Sequence, residues 1–460
     1  MGKSHPANGP SLRALFCGGL GAALLALSLV PIFDLAYGGT GAKLGVFAGV
    51  LLLAIGAVWA AAAHTERLEQ ALYLAVPIGL AFFLRAILLD HQTGDYVDFL
   101  SRWVAVFREN GGFAALKMPI GNYNAPYLYF LALISYVPIS DLYLIKLVSI
   151  LFDVVLAWGG LRLVRRLCPE DRLRPLVCFC VLLLLPTAVL NGACWAQCDS
   201  LYGALVLHAL ASALEGKGWR STFILGAAFS FKLQTIFLVP LWGVLWLGGR
   251  MKFRQLFGFP AGYAAAILPA VLLGKPLKDI LGVYLGQTQE GLGILCYNAS
   301  SMYSFLPYGF QANERLSALL GIATAFLLVL VLLAAGFFLK GRMPDSTVMA
   351  AAVVMAIGVP FLLPYMHDRY FFLADVLAAA WACACPRHIP CAAAVQLSSL
   401  MAYLNYLRGR YSLVLSLGGK TFVMLAEALL MFSALIWSVS ALFAVLRPET
   451  GLSERMGKNS

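Results

Sequence analysis

Charged side chains are scarce in this sequence. Asp, Glu, Lys and Arg together make up 12% of the 460 residues, about half of the roughly 25% that is usual in soluble domains. This scarcity excludes a cytosolic enzyme, a disordered chain and a nucleic-acid-binding domain, although Lys and Arg outnumber Asp and Glu by 33 to 22. Hydrophobic residues make up 61% of the chain. The composition therefore predicts an all-α, polytopic integral membrane protein.

Sequence patterns for metal and nucleotide binding are also missing. None of the ten cysteines belongs to a cluster with the spacing of a zinc site. Most of them lie in apolar segments, where we interpret them as small helix residues. The sequence has no glycine-rich phosphate loop and no paired metal carboxylates. We therefore expect no cofactor, with a divalent metal as a possibility that nothing in the sequence indicates.

Long apolar runs occupy most of the chain, and each membrane-spanning helix needs about 20 such residues. The runs fall at 14–33, from 44 onward, and at 70–89, 140–161, 175–191, 200–214, 221–249, 256–273, 316–339, 346–363, 370–385, 389–405 and 421–446. We expect 13 or 14 spanning helices in one unit, 1–460. It comprises an N-terminal helix pair at 1–66, a core at 67–376 and C-terminal helices at 377–460. A cleaved signal peptide at the first run is the less favoured alternative.

The distribution of Lys and Arg predicts the orientation, because cytoplasmic loops carry an excess of positive charge. We place both termini inside, together with 64–69, 162–174, 215–220, 250–254, 340–345 and 386–388. The inside stretches then hold 19 of the 33 Lys and Arg residues and the outside stretches hold 11. The segment 406–420 is an exception, because its three basic residues must lie outside.

The interpretation of two segments determines on which side of the membrane the later loops lie. The apolar stretch 123–138 is too short to span, so we interpret it as a helix on the outer surface. The segment 221–249 is basic at both ends and interrupted by FSFKLQ, which predicts a broken hairpin with Lys232 deep in the bilayer. Broken helices are tolerated there only where they line a hydrated cavity enclosed by protein.

This orientation gathers the polar clusters on the outer side. The clusters are GDYVDFLSRW (94–103), GNYNAPY (121–127), ACWAQCDSLY (193–202), FKLQ (231–234), the loop 287–304 and PYMHDRYF (364–371). Ionisable residues at membrane depth are costly and therefore indicate function.

Structural explanations remain open for several of these residues. Trp103, Trp195 and Tyr370 are also compatible with an interfacial aromatic belt. The polar residues 367–369 are compatible with an ordinary turn. Asp95 and Asp98 are compatible with a solvated loop. Elsewhere, Lys146 and Asp153 lie on one helical face. This placement is equally compatible with a structural ion pair and with a functional site. We expect Asp375 and Glu427 to make satisfied packing contacts.

A carboxylate, cations and aromatic rings at an outer membrane surface suit a polyprenyl-phosphate sugar donor. Positive charge from Lys232 and Arg369 would stabilise the leaving phosphate, with Gln197, Gln234 and Tyr370 as polar neighbours. An aspartate would supply the base for the acceptor hydroxyl.

The candidates for that base are Asp95 and Asp98. A helix over 94–108 would place both on one face. Arg102 lies four residues after Asp98, so an ion pair there would make Asp98 structural. We therefore favour Asp95 as the base.

The motifs in this order, from about residue 94 to 376, resemble bacterial membrane mannosyltransferases of the GT-C superfamily, which are related to the second mannosyltransferase of GPI-anchor synthesis. The resemblance implies a catalytic acidic residue in the first large outer loop, at Asp95 or Asp98. It also implies a polyprenyl-phosphate hexose donor, most often mannose, used with inversion. Relatives usually have glutamate at the position of Asp368 and often an acidic residue at that of Asn122, which argues against a catalytic Asn122. Across the motifs, the candidate donor-binding residues are Lys232, Arg369, His367, Asp368, Gln197, Asp199, Gln234, Tyr370, Asn124 and Tyr127.

Two other functions compete with a glycosyltransferase. A transporter or lipid flippase also uses a membrane cavity with buried cations, but it usually has two related halves, and the sequence has no convincing repeat. A non-enzymatic scaffold protein would not explain why ionisable residues lie at membrane depth. We expect a bacterial plasma-membrane protein with an extracytoplasmic active site, membrane lipid around it, a glycan, lipid or protein acceptor, and no nucleic acid partner.

Overall fold

The protein is α-helical, as the composition predicts. A computed structural model describes residues 10–65, 68–290, 293–305, 313–408 and 420–446. The first ten helices are α1 Leu12–Leu27, α2 Leu29–Phe33, α3 Thr40–Ala62, α4 Leu68–Ile87, α5 Ser101–Glu109, α6 Ala125–Ile134, α7 Asp141–Leu167, α8 Leu173–Leu184, α9 Pro186–Val189 and α10 Asp199–Leu214. The other helices are α11 Gly218–Phe231, α12 Pro240–Leu247, α13 Gly258–Leu272, α14 Leu277–Glu290, α15 Glu314–Phe338, α16 Asp345–Leu362, α17 Phe372–Ala384, α18 Ile389–Arg408 and α19 Lys420–Leu446.

Shorter elements interrupt this series. Two π-helices occupy Tyr96–Leu100 and Leu190–Cys194. Five 3-10 helices occupy Gly112–Lys117, Leu233–Phe237, Phe253–Phe257, Met302–Phe305 and Pro386–His388. Strands β1 (Cys296–Tyr297) and β2 (Met366–His367) pair in parallel, so two of the polar clusters predicted on the outer side lie together.

Eight helices in the described part of the chain are long and apolar enough to cross a membrane, or nine if the bent pair of α8 and the segment Pro186–Cys194 counts as one span. Four further apolar helices, at Ala125–Ile134, Asp199–Leu214, Leu233–Leu247 and Phe372–Ala384, are shorter. The polytopic membrane fold is thereby confirmed. The expected total of 13 or 14 spans exceeds the number of helices that are long enough to span. That total therefore stays a prediction.

The chain forms two compact units that interleave along the sequence. The first comprises Met1–Ala211, Phe223–Leu233 and Phe259–Thr288, and the second comprises Ser212–Thr222, Gln234–Gly258 and Gln289–Ser460. In the first unit, α1 and α4 cross closely, since a Cβ at Gly21 would lie 2.4 Å from the Ala75 carbonyl oxygen. In the second unit, α16 packs against α15, α17 and α19 and is buried along most of its length.

Buried cations stabilise the breaks between helices in the first unit. Arg85 pairs with Asp153 at 2.9 Å and donates from Nη1 to the Leu183 carbonyl at 2.8 Å, directly before the 46° bend at Pro186. Lys146 donates to three carbonyls just after α4, at Leu88, Leu89 and His91. Lys146 and Asp153 therefore serve different partners, which fits a structural role for both residues.

Contacts within each unit show which loops share an end. In the first unit, Arg165 Nη1 lies 2.9 Å from His64 Nδ1, so two of the stretches predicted inside meet. At the other end of α7, Asp141 accepts a hydrogen bond from the Tyr96 hydroxyl at 3.2 Å. In the second unit, Arg250 donates to the Met343 carbonyl at 2.7 Å. These contacts bring 64–69 together with 162–174 and 250–254 together with 340–345, as predicted. The grouping of the other loops and the side that faces the cytoplasm stay predictions.

Thiol labelling tests the orientation. Cys194 and Cys198 are buried, whereas Cys168 is partly exposed and Asn110 is exposed at the end of α5. With an impermeant maleimide on intact cells, we expect a single-cysteine Asn110→Cys variant to react and a variant that retains only Cys168 to react after permeabilisation. The opposite pattern would invert the membrane orientation.

Candidate active site

Asp95 is held by two side chains from one short turn. Its Oδ2 accepts hydrogen bonds from Trp195 Nε1 at 3.0 Å and from Gln197 Nε2 at 2.7 Å. Both donors follow the π-helix Leu190–Cys194, while Asp95 directly precedes the π-helix Tyr96–Leu100. Because both bonds end on one oxygen, they fix the orientation of the carboxylate.

The turn that carries these donors has a strained backbone. Ala196, between Trp195 and Gln197, has a φ of 63°, which costs a non-glycine residue about 1–2 kcal/mol. Thr93 Oγ1 donates to the Trp195 carbonyl at 3.1 Å and Ser149 Oγ to the Gln197 carbonyl at 2.7 Å. Strained backbones of this kind persist where neighbouring groups enforce them, and they concentrate at functional sites.

Asp98 lies in a different environment from Asp95. The chain from Tyr96 to Leu100 is a π-helix, whose turn is wider than that of an α-helix. Asp98 pairs with Arg102 at 3.3 Å, and these side chains are 58% and 70% exposed. The predicted ion pair is confirmed, and the two carboxylates contact different partners instead of acting together on one face.

Lys232 forms a buried ion pair with Asp199. The break predicted near Lys232 is confirmed, because α11 ends at Phe231 and a 3-10 helix begins at Leu233. Lys232 Nζ donates to Asp199 Oδ1, and the two side chains are 4% and 1% exposed. Asn191 Nδ2 donates to the other carboxylate oxygen at 2.6 Å. Asp199 thus holds the cation in place at low exposure.

Aromatic rings connect the carboxylate of Asp95 to the cation. Lys232 Nζ lies 5.8 Å from the ring centroid of Tyr123 and 5.9 Å from that of Tyr202. The Tyr123 hydroxyl donates to Gln197 Oε1 at 3.3 Å. Gln197 therefore contacts Asp95 through its amide nitrogen and Tyr123 through its amide oxygen.

A row of four rings runs beside this network, through Phe99, Trp103, Tyr123 and Tyr127. Successive ring centroids are 6.2, 5.6 and 4.9 Å apart. Tyr127 is buried. The neighbouring Asn124 caps α6 through its Oδ1 and donates from Nδ2 to the Tyr263 hydroxyl at 3.1 Å, so its contacts here are those of a residue that anchors α6.

Gly121 permits the close approach of Trp103. Its φ is 63°, and a Cβ there would lie 2.7 Å from Trp103 Cε2. We expect Gly121→Ala to displace the Trp103 ring and to lower unfolding stability by about 1–3 kcal/mol, with a change in tryptophan fluorescence. Gly286→Ala, which meets open space, is the control, and equal effects of the two substitutions would contradict this explanation.

The remaining candidates belong to the second unit. His367 on β2 stacks on Tyr297, with centroids 4.5 Å apart, and lies 5.2 Å from the Tyr370 ring. Asp368 and Gln234 are buried, while Arg369 lies between Asp368 and Tyr370 in the turn that precedes α17. Lys232 lies in the first unit and Arg369 in the second, so a joint phosphate contact stays a prediction.

Sequence reasoning missed several residues of the site. Asn191, Thr93 and Ser149 have no local sequence signal, because each acts through contacts with residues distant along the chain. The expectation of satisfied packing contacts is wrong for Glu427. This side chain is buried in α19, and both of its carboxylate oxygens lack a hydrogen-bond partner among the residues that the structure describes.

The arrangement suits proton transfer and binding of a group with an apolar face and a negative charge. It contains an oriented carboxylate, a row of aromatic rings and a buried cation. Among the described residues, no group of three or more His, Cys, Asp or Glu side chains has a geometry suited to a metal ion, and metal independence stays a prediction.

Comparison of the chain with protein-family models and with curated proteins found no match.

Proposed function

We propose that the protein is a membrane glycosyltransferase that moves a hexose, with mannose as the first candidate, from a polyprenyl phosphate to an acceptor hydroxyl. The observation that carries this proposal is the orientation of Asp95 by Trp195 and Gln197. Two donors on one oxygen are a means of positioning a general base, and positioned bases contribute about 10²–10⁴-fold to rate.

In the proposed reaction, Asp95 accepts the proton of the acceptor hydroxyl. The hydroxyl oxygen then forms a bond to the anomeric carbon while the bond from that carbon to the phosphate oxygen breaks. The phosphate leaves with the electron pair of that bond. A single displacement of this kind inverts the anomeric configuration.

Binding of the donor would use the groups near Asp95. The faces of Trp103 and Tyr123 suit the apolar face of a sugar ring, and Lys232 lies over the Tyr123 ring. The ion pair with Asp199 would keep Lys232 oriented before a phosphate arrives. The resemblance of the motifs from 94 to 376 to GT-C mannosyltransferases supports the same assignment.

A transporter or flippase is the second candidate, because the Lys232–Asp199 pair at low exposure and the bent α8 are also features of transport proteins. The two functions separate with detergent-solubilised protein and a radiolabelled polyprenyl-phosphate hexose. A glycosyltransferase releases polyprenyl phosphate and labels an acceptor without a sealed compartment. A flippase moves the labelled lipid across vesicle bilayers and forms no product.

In the proposed reaction, Arg369 binds the phosphate of the donor. We expect Arg369→Ala to weaken donor use by about 2–3 kcal/mol, the range for a lost hydrogen bond to a charged group, measured as kcat/KM for the lipid donor. Arg315→Ala removes an equal charge from an exposed position in the same unit and is the control. Unchanged kcat/KM in Arg369→Ala would remove Arg369 from the site.

A further inference from the structure

Helices α13 and α14 form an antiparallel hairpin in the first unit. Ile280 of α14 belongs to the same buried cluster as Ile267 of α13. One turn further along α14, the Tyr284 hydroxyl donates to the Phe229 carbonyl. The Phe229 ring also lies beside Tyr263 of α13, with centroids 5.8 Å apart. Later residues of α14 thus lie beside earlier residues of α13, so α14 runs back along α13.

The turn of this hairpin lies at the end of the unit where α7 begins. Lys275, in the turn, donates to the Met118 carbonyl at 3.0 Å. Tyr136, which shortly precedes α7, donates from its hydroxyl to the Gly111 carbonyl at 3.0 Å. The two acceptors flank the same 3-10 helix, Gly112–Lys117. The first residue of α14 therefore lies near the level at which α7 starts.

The other end of α14 lies near the level of the middle of α7. Phe231 follows Phe229 by two residues, and its ring centroid lies 6.5 Å from that of Phe152. Phe152 is the twelfth of the 27 residues of α7, which is a candidate membrane span. From Leu277 to Gln287, α14 rises about 15 Å, which is about half the thickness of the hydrocarbon core of a bilayer.

One face of α14 consists of exposed leucines. Leu277, Leu281 and Leu285 are 50%, 54% and 69% exposed, and their spacing of four residues places them on one side of the helix. Leu268 and Leu272 of α13 are exposed as well, and both belong to the candidate span Phe253–Leu272. The leucines of α14 therefore continue, at the same depth, the surface that a spanning helix presents to lipid.

The polar side chains of α14 lie near its two ends. Lys278 and Asp279 are exposed in the first turn, close to the turn of the hairpin. At the other end, Gln287 Nε2 donates to the Asn122 carbonyl, next to Tyr123 of the candidate site. A helix of 14 residues is too short to span but has the length of a re-entrant segment. Polar groups at depth are tolerated where protein encloses them, as Asn122 does here for Gln287.

We infer that α14 is a re-entrant membrane helix whose leucine face, Leu277, Leu281 and Leu285, lies against the acyl chains of membrane phospholipids. The depth of α14 excludes water as the neighbour of this face. The continuity with the exposed surface of α13 favours lipid over a protein partner, because a spanning helix already meets lipid at that depth. The candidate site then borders the bilayer beside Asn122.

Photocrosslinking of the full-length protein in its native membrane tests this placement. The probe is p-benzoylphenylalanine, which inserts into neighbouring C–H bonds on irradiation, introduced as Leu281→p-benzoylphenylalanine. Because Leu281 is exposed, the larger ring should be accommodated without displacing the core. We expect mass spectrometry to identify a phospholipid adduct that is linked through an acyl chain.

The same substitution at two other exposed positions provides the controls. Leu52 lies in the spanning helix α3 and is 68% exposed, so it should give the phospholipid adduct in comparable yield. Asn110, at the charged end of α5, should give none. An adduct at Leu52 without one at Leu281 would overturn the placement in lipid. A crosslink from Leu281 to protein would also overturn it, and an adduct confined to a polyprenyl lipid would overturn phospholipid as the occupant.

Discussion

Asp95→Asn is expected to lower the rate of hexose transfer by about 10²–10⁴-fold. Asparagine keeps the shape of the side chain, and its amide oxygen can still accept the hydrogen bonds from Trp195 and Gln197. It cannot accept the proton of the acceptor hydroxyl. The loss should therefore appear in kcat, with donor binding and unfolding temperature close to those of the wild type.

Asp98→Asn is the control for this substitution, because it removes the same charge three residues away. Asp98 is exposed and pairs with Arg102 at the surface, where such an ion pair contributes about 0–1 kcal/mol. We expect measurable turnover in this variant. Inactive Asp98→Asn beside active Asp95→Asn would transfer the role of base to Asp98.

Lys232→Met is expected to destabilise the protein by about 3–5 kcal/mol, because it leaves the carboxylate of Asp199 buried without its cation. Methionine keeps much of the length of the side chain, so the lost charge causes most of the effect. The double variant Lys232→Met with Asp199→Asn removes both charges, and it should recover a large part of the lost stability. Reversible unfolding of the purified protein measures all four members of this cycle.

The cycle also separates the structural role of Lys232 from its proposed role in donor binding. If Lys232 binds the donor phosphate, the double variant stays folded but turns over slowly. Additive losses of stability in the two single variants would contradict the buried pair. Normal turnover of the folded double variant would show that donor binding does not need Lys232. The ion pair would then have a structural role alone.

The features of the fold that have short-range causes were predictable. Apolar runs of about 20 residues predict the long helices, and the polar FKLQ segment predicts the break at Lys232. The spacing of four residues between Asp98 and Arg102 predicts their ion pair. In each case, neighbours within one or two helical turns determine the outcome.

The construction of the candidate site could not be predicted in the same way. Asp199 and Lys232 are 33 residues apart, and Asp95 and Gln197 are 102 residues apart, so the packing of helices decides both pairs. The positive φ of Ala196 is not indicated by its residue type, since alanine ordinarily avoids this region. The motifs therefore predicted candidate residues for the site but not the contacts between them.

The pairing of Asp199 with Lys232 also has a consequence for synthesis of the chain. Translation at about 5–20 residues per second produces Lys232 some 2–7 s after Asp199, because 33 residues separate them. During that interval, the nascent chain carries the acid without its cation, and hydration at the membrane surface favours retention of the α10 start there. We therefore expect the final burial of Asp199 to wait until the end of α11 has been synthesised, so that α10 and α11 pack as one coupled event.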